Sequence, residues 1–124
     1  MTISNEQKRS DIIQKIQLAQ SKLRELLANM KQRQQKGWEI AKNSAEILKQ
    51  QFGVKRVVLF GSMLNLEDLS PYSDIDLAVW GLPPNAIFKA GAAIEKGQEF
   101  KIDLVEAEKA KPYIRQAIVM GVEL

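Results

Sequence analysis

The sequence predicts a small α+β domain, a mixed β-sheet flanked by helices, that carries a long N-terminal helical extension. Three observations support this class. Residues 5–35 contain neither glycine nor proline and space their apolar residues as a helix does. After Gly53 the pattern changes to short β-branched runs. The length of 124 residues, 45% of them apolar, suits one domain with a modest core.

The N-terminal helix is predicted to be an assembly element. Its apolar residues follow the 4-3 spacing of a heptad seam: Ile12, Ile16, Ala19, Leu23, Leu26 and Met30. A helix of about 30 residues is about 45 Å long, more than the remaining chain can cover. We therefore expect residues 1–52 to form a helical extension that makes homo- or hetero-oligomers, and residues 53–124 to form the domain. The alternative is a helix folded back along its own domain.

Gly37 interrupts the first apolar series, and a second series of different phase follows over residues 38–52. Either one long helix is kinked near Gly37, or two helices meet there. Further along, strands are predicted at residues 54–60, 74–80 and 99–105, and helices at 86–96 and 108–120.

Composition excludes several kinds of chemistry. The chain has no cysteine and no histidine, which excludes zinc fingers, iron–sulfur ligation, thiol catalysis and an imidazole base. Carboxylates are then the strong metal ligands available, and they favour hard ions such as Mg²⁺. No apolar run approaches the roughly 20 residues of a membrane span, and the N-terminus lacks a signal-peptide stretch. We expect a soluble cytoplasmic protein with no membrane partner.

The net charge of +3 is unevenly distributed. Residues 1–56 contain 12 basic and 5 acidic residues, whereas residues 57–124 contain 6 and 10. The basic half could meet nucleic-acid phosphates or an acidic protein. Its lysines and glutamines alternate with apolar residues, without clustered arginines or aromatics, as on a solvated helix face. Direct nucleic-acid binding is therefore not expected.

Three aspartates are the candidate metal ligands. On a strand, Asp74 and Asp76 share one face, about 7 Å apart, while Ile75 and Leu77 share the other. If the third strand pairs beside the second, Asp103 completes a three-carboxylate cluster. Such a cluster suits one or two Mg²⁺ ions with nucleotide phosphates as the remaining ligands.

Gly61 and Ser62, at the end of the first predicted strand, are the candidate phosphate-binding residues. Glycine lets the backbone approach a phosphate closely, and the serine hydroxyl and adjacent N–H groups can hold its oxygens. Alone, a Gly-Ser pair is a common turn, and a lone Asp-x-Asp is a polar strand face. Their occurrence in this order, followed by an apolar strand with one aspartate, is much less expected by chance.

This order carries a family resemblance, in three blocks at residues 60–62 (FGS), 73–77 (SDIDL) and 102–105 (IDLV). Together they resemble the DNA-polymerase-β-type nucleotidyltransferase superfamily, and the short chain resembles its minimal nucleotidyltransferases (MNT). The resemblance covers roughly residues 54–124. It implies that Gly61 and Ser62 hold the nucleotide triphosphate, that Asp74 and Asp76 bind Mg²⁺, and that Asp103 completes the catalytic and metal site.

One departure from the family pattern bears on activity. Many members place arginine and glycine soon after the Gly-Ser pair, whereas residues 63–66 read MLNL here. A cationic contact to the triphosphate is therefore missing, which predicts weak or specialised catalysis. The roles of the three aspartates are unaffected.

The resemblance also implies a partner. MNT proteins are often antitoxins paired with HEPN-type ribonuclease toxins, and characterised members transfer AMP from ATP to a tyrosine of the toxin. We expect the same reaction here, since a small domain leaves little room for a second substrate site. Two alternatives remain: a non-catalytic antitoxin that acts by binding its toxin, and an antibiotic-type nucleotidyltransferase with a small-molecule acceptor.

Overall fold

A computed structural model describes residues 4–124 of the chain. Its helices and strands, in chain order, are α1 (Asn5–Phe52), β1 (Arg56–Phe60), β2 (Ile75–Trp80), α2 (Ile87–Glu95), β3 (Ile102–Glu106), α3 (Pro112–Val119) and β4 (Val122–Glu123). Single 3₁₀ turns occupy Gly61–Leu64, Leu66–Asp68 and Ala107–Lys109. Among the described residues, none of the helices combines the length and the apolar character that crossing a bilayer requires.

The strands form one four-stranded mixed sheet in the order β3-β2-β1-β4. β2 and β3 are parallel, whereas β1 is antiparallel to both β2 and β4. The expected pairing of the third strand beside the second is confirmed, and so is the α+β class. β4 was not predicted, because two residues give no periodic signal; it is defined by its pairing with β1.

Helices cover the two faces of the sheet unequally. α1 and α2 pack on one face, where Ile75, Leu77 and Val79 of β2 are fully buried. α3 packs on the other face, against Val58 and Ala78. The alternation predicted for the second strand is thus confirmed: its apolar side chains enter the larger core, and its other face is left for the aspartates and for α3.

α1 is a single helix of 48 residues. Ser4 caps its N-terminus by accepting a hydrogen bond from the backbone N–H of Gln7 at 3.2 Å, and Gly53 ends it in the left-handed conformation, with φ +68°. Helix continues through Gly37, so the alternative of two helices meeting there is wrong. Glycine allows close packing here: a Cβ at this position would stand 2.6 Å from Sδ of Met63.

The two halves of α1 have different surroundings. Residues 4–29 are all exposed, whereas burial begins at Met30 and becomes complete at Ala41 and Leu48. The second half of α1 therefore belongs to the same core as the sheet. The first half extends beyond the domain for about 37 Å.

Two predicted elements begin three or four residues later in the structure than expected. β3 begins at Ile102 rather than at residue 99, because the side chain of Gln98 hydrogen-bonds both backbone polar groups of Phe100 outside the sheet. α3 begins at Pro112 rather than at residue 108. Proline favours the first position of a helix and keeps the preceding residue, Lys111, extended at ψ 156°.

Candidate active site

The candidate site lies at one edge of the sheet, where β1 ends and where β2 and β3 begin. Strand register aligns Phe60 with Asp76, and Asp76 with Asp103, in one row across three strands. The chain leaves β1 directly into the turn Gly61–Leu64, which contacts β2. The fold thus brings Gly61 and Ser62 beside two of the three predicted carboxylates.

Asp76 and Gly61 are in direct contact. Gly61 has φ +84°, a backbone conformation that residues with a side chain rarely adopt. A Cβ placed on it would overlap Oδ2 of Asp76. The carboxylate therefore occupies the space that any other residue at position 61 would fill. Both the backbone conformation and the packing require glycine here.

The surroundings of Asp76 disfavour its charge. Its pKa is raised from 3.8 to about 6, first because burial removes water from the half-buried carboxylate. The negative charges of Asp103 and Asp74 raise it further, as does a hydrogen bond that the protonated carboxyl shares with Asp103. A carboxylate whose charge is opposed by two neighbouring carboxylates is an environment that a cation would relieve.

The other two aspartates flank Asp76. Asp74 lies just before β2 and is half-buried, whereas Asp103 lies within β3 and is exposed. Within residues 4–124, no three acidic side chains stand close enough together to hold a metal ion as they are. The three aspartates of the cluster expected from the sequence are thus neighbours, but not close enough to form a metal site as they stand. The structure shows instead the Asp76–Asp103 pair, with Asp74 near enough to act on it by charge.

This donor set fits a magnesium ion. All its donors are carboxylate oxygens, which hard divalent ions prefer. Mg²⁺ binds proteins through one or two carboxylates and completes its shell with water and substrate phosphates, so it does not need a closed protein cage. The Asp76–Asp103 pair, with a third carboxylate nearby, meets that requirement.

α1 holds the turn that carries Ser62. The side chains of Gln34 and Trp38 both donate hydrogen bonds to the carbonyl oxygen of Met63, each at 3.1 Å. The side chain of Met63 is fully buried against Gly37. A turn held through its backbone on one side and its side chain on the other is preorganised, which is what a phosphate-binding loop needs.

α1 also holds the segment that leads to Asp74. Arg33 donates a hydrogen bond to the carbonyl oxygen of Ser73 at 3.0 Å, and its guanidinium lies 4.3 Å from the centre of the Phe100 ring. These positioning roles of Arg33, Gln34 and Trp38 were not predicted. One signal was present for the arginine, since residue 33 continues the apolar 4-3 spacing beyond Met30, where a charged residue is out of pattern.

Comparison with protein families assigns the larger part of the chain to one family. Residues 42–124 match the family described as Polymerase beta, Nucleotidyltransferase. The matched region begins in the buried half of α1 and contains Gly61, Ser62 and the three aspartates. No curated protein matches the chain significantly.

Proposed function

We propose that this chain, which belongs to the polymerase beta nucleotidyltransferase family, transfers AMP from ATP to a tyrosine hydroxyl of another protein. That protein is a HEPN-type ribonuclease toxin, for which this chain acts as the antitoxin. The nucleotidyltransferase domain of this chain supports a transferase activity in general. The observation that carries the proposal is the Asp76–Asp103 pair beside Gly61, at a turn held in place by α1.

The nucleotide is held by the turn after β1. Gly61 is exposed, so a phosphate can approach its backbone, and the half-buried Ser62 supplies a hydroxyl to a phosphate oxygen. Asp76 and Asp103, with Asp74 nearby, would hold Mg²⁺, which when bound neutralises charge on the phosphoryl oxygens.

Asp103 accepts the proton of the acceptor hydroxyl. As the exposed member of the row, it is the carboxylate that an incoming hydroxyl can reach. In the transfer, the hydroxyl oxygen bonds to the α-phosphorus of ATP and the bond to the leaving diphosphate breaks. The hydroxyl proton passes to Asp103, which acts as the general base in place of the absent histidine.

Slow turnover is part of the proposal. Residues 63–66 carry no charge, and Met63 is committed to the core, where it packs against Gly37. This segment therefore cannot supply a cationic contact to the triphosphate. An antitoxin that modifies each toxin molecule once needs little turnover.

Labelled ATP tests the proposal. The protein is incubated with α-labelled ATP, Mg²⁺ and a lysate of its native host, and any labelled band is identified by mass spectrometry. We expect one labelled protein with HEPN-type sequence, and none with Asp76→Asn. Asp68→Asn is the matched control, since this carboxylate is exposed and accepts a hydrogen bond from the side chain of Asn65, outside the row of aspartates.

Other outcomes would favour the alternatives. If Asp76→Asn still neutralises the toxin as the wild type does, the protein acts by binding alone. If label passes to a free aminoglycoside without any partner, the acceptor is a small molecule. Either result would contradict the proposal.

A further inference from the structure

The exposed half of α1 carries an apolar stripe that nothing in the described chain covers. The large apolar side chains of this half remain 42–57% exposed. The stripe itself consists of Ile12, Ile16, Ala19, Leu23 and Leu26. An exposed apolar patch of this length marks an interaction surface.

The stripe continues the face of α1 that packs on the domain. Ile12 and the fully buried Leu48 are 36 residues apart, about ten turns at 3.6 residues per turn, so their side chains point the same way. A protein seated on the stripe therefore lies beside the domain, in the corner that the helix makes with it.

That corner adjoins the candidate site. α1 leaves the domain at Arg33, whose side chain binds the carbonyl of Ser73, the residue before Asp74. The sheet edge at this point is the one where β2 and β3 begin. A protein docked on the stripe is thus held next to the three aspartates.

Charge along the stripe argues against a second copy as the occupant. One border carries Lys8, Lys15 and Lys22 at seven-residue intervals. The other carries Glu6 in the first turn and then the uncharged Ile13, Gln20 and Leu27. In an antiparallel pair of these helices, the two lysine rows would face each other and repel. In a parallel pair, each lysine row would face uncharged residues and gain no ion pair. A groove bordered by carboxylates would satisfy the lysine row.

The available area suits a stable complex. One face of a helix about 37 Å long and about 10 Å across presents several hundred Å². Together with the adjoining edge of the domain, this approaches the ~800 Å² that each partner of a standard interface buries.

We infer that residues 5–29 dock an α-helical protein whose apolar groove is bordered by aspartates or glutamates, and that this docking presents an acceptor hydroxyl to the site. That the docked protein is the acceptor rests on the proposed function; the docking itself does not. The helix supplies the second-substrate binding surface that the small domain lacks.

Two synthetic helical peptides of about 28 residues test the surface. Both carry leucine at the a and d positions, and one has glutamate and the other lysine at e and g. With the full-length protein, we expect the glutamate peptide to bind at least about tenfold more tightly, with an affinity that falls as salt rises. Lys15→Glu combined with Lys22→Glu should reverse the preference.

A matched pair of substitutions tests the stripe. Leu23→Glu should abolish binding of the glutamate peptide, whereas Leu18→Glu should leave it unchanged. Leu18 and Leu23 are 57% and 55% exposed, but Leu18 lies off the stripe. Circular dichroism checks that both variants stay folded. Asp76→Asn should bind the peptide as the wild type does, so failure of catalysis and failure of docking are distinguishable.

Four outcomes would overturn the inference. Equal binding of both peptides would remove the role of charge. Binding of neither peptide would remove the docking surface itself. A dimer by light scattering that Leu23→Glu dissociates makes a second copy the occupant. Binding to phosphatidylserine vesicles without binding to the glutamate peptide makes the stripe a membrane surface.

Discussion

Asp76 and Gly61, fifteen residues apart in sequence, are in contact, with Oδ2 of the carboxylate in the space where a Cβ of residue 61 would stand. The contact follows from the antiparallel pairing of β1 with β2, which sets Phe60 opposite Asp76. It joins the two parts of the candidate site, the turn that is proposed to bind phosphate and the carboxylates.

Gly61→Ala should inactivate the site. The new Cβ both displaces the carboxylate of Asp76 and strains a backbone at φ +84°, so we expect at least about 100-fold slower nucleotide transfer and a loss of about 1–3 kcal/mol of stability. Gly97→Ala is the matched control, because Gly97 has a similar φ of +78° with no atom within 4 Å of its added Cβ. Gly97→Ala should lower the stability of the protein and leave nucleotide transfer unchanged. Full transfer by Gly61→Ala would show that the contact is incidental.

Asp76→Asn should stabilise the protein at high pH. Because the pKa of Asp76 is about 6 when folded and ordinarily 3.8, the folded state binds its proton more tightly, and stability falls as pH rises between these values. Above pH 7 the substitution removes that cost, which we put at about 1 kcal/mol after allowing for solvent screening. Thermal melts should show a higher Tm for the variant at pH 8 and no difference at pH 3.5.

Magnesium and ATP should stabilise the wild type more than Asp76→Asn. With both present at pH 8, the Tm of the wild type should rise, while that of Asp76→Asn should change little, because the variant lacks a ligand. An equal rise in both proteins would place the metal elsewhere.

Ser62→Ala should weaken ATP binding by about 1–2 kcal/mol, the scale of a hydrogen bond to a charged phosphate. Isothermal calorimetry in the presence of Mg²⁺ measures the change, and Ser10→Ala on the exposed half of α1 is the control. Unchanged affinity for Ser62→Ala would reduce Gly61 and Ser62 to an ordinary turn.

Trp38→Phe combined with Gln34→Ala should raise the KM for ATP more than either change alone. Both side chains donate to the carbonyl oxygen of Met63, so one can hold the turn when the other is lost. Each single variant should then lose little, and the double variant about tenfold. Additive effects of the two substitutions on KM would show that they do not act on the same turn.

Much of the fold and the relative placement of the site residues could be predicted from the sequence. β-branched runs gave the first and second strands, and alternation put Asp76 on the face opposite Ile75 and Leu77. These signals are local, because strand periodicity depends on neighbouring residues alone.

The remainder depends on contacts distant in sequence. Gly37 interrupts the apolar spacing of the sequence, yet it lies within one helix and leaves room for Met63 to pack against it. The anchoring of Ser73 by Arg33 spans forty residues, and β4 exists only because β1 offers a free edge. No periodicity in the sequence encodes such pairings.

Mass spectrometry of the partner is the most direct test of the central claim. A HEPN-type toxin from the native host is co-expressed with the wild-type protein or with Asp76→Asn, purified and digested. We predict one toxin tyrosine carrying a single AMP with the wild type, and the unmodified tyrosine with the variant. A toxin that is neutralised by the wild type while all its tyrosines remain unmodified would contradict the account.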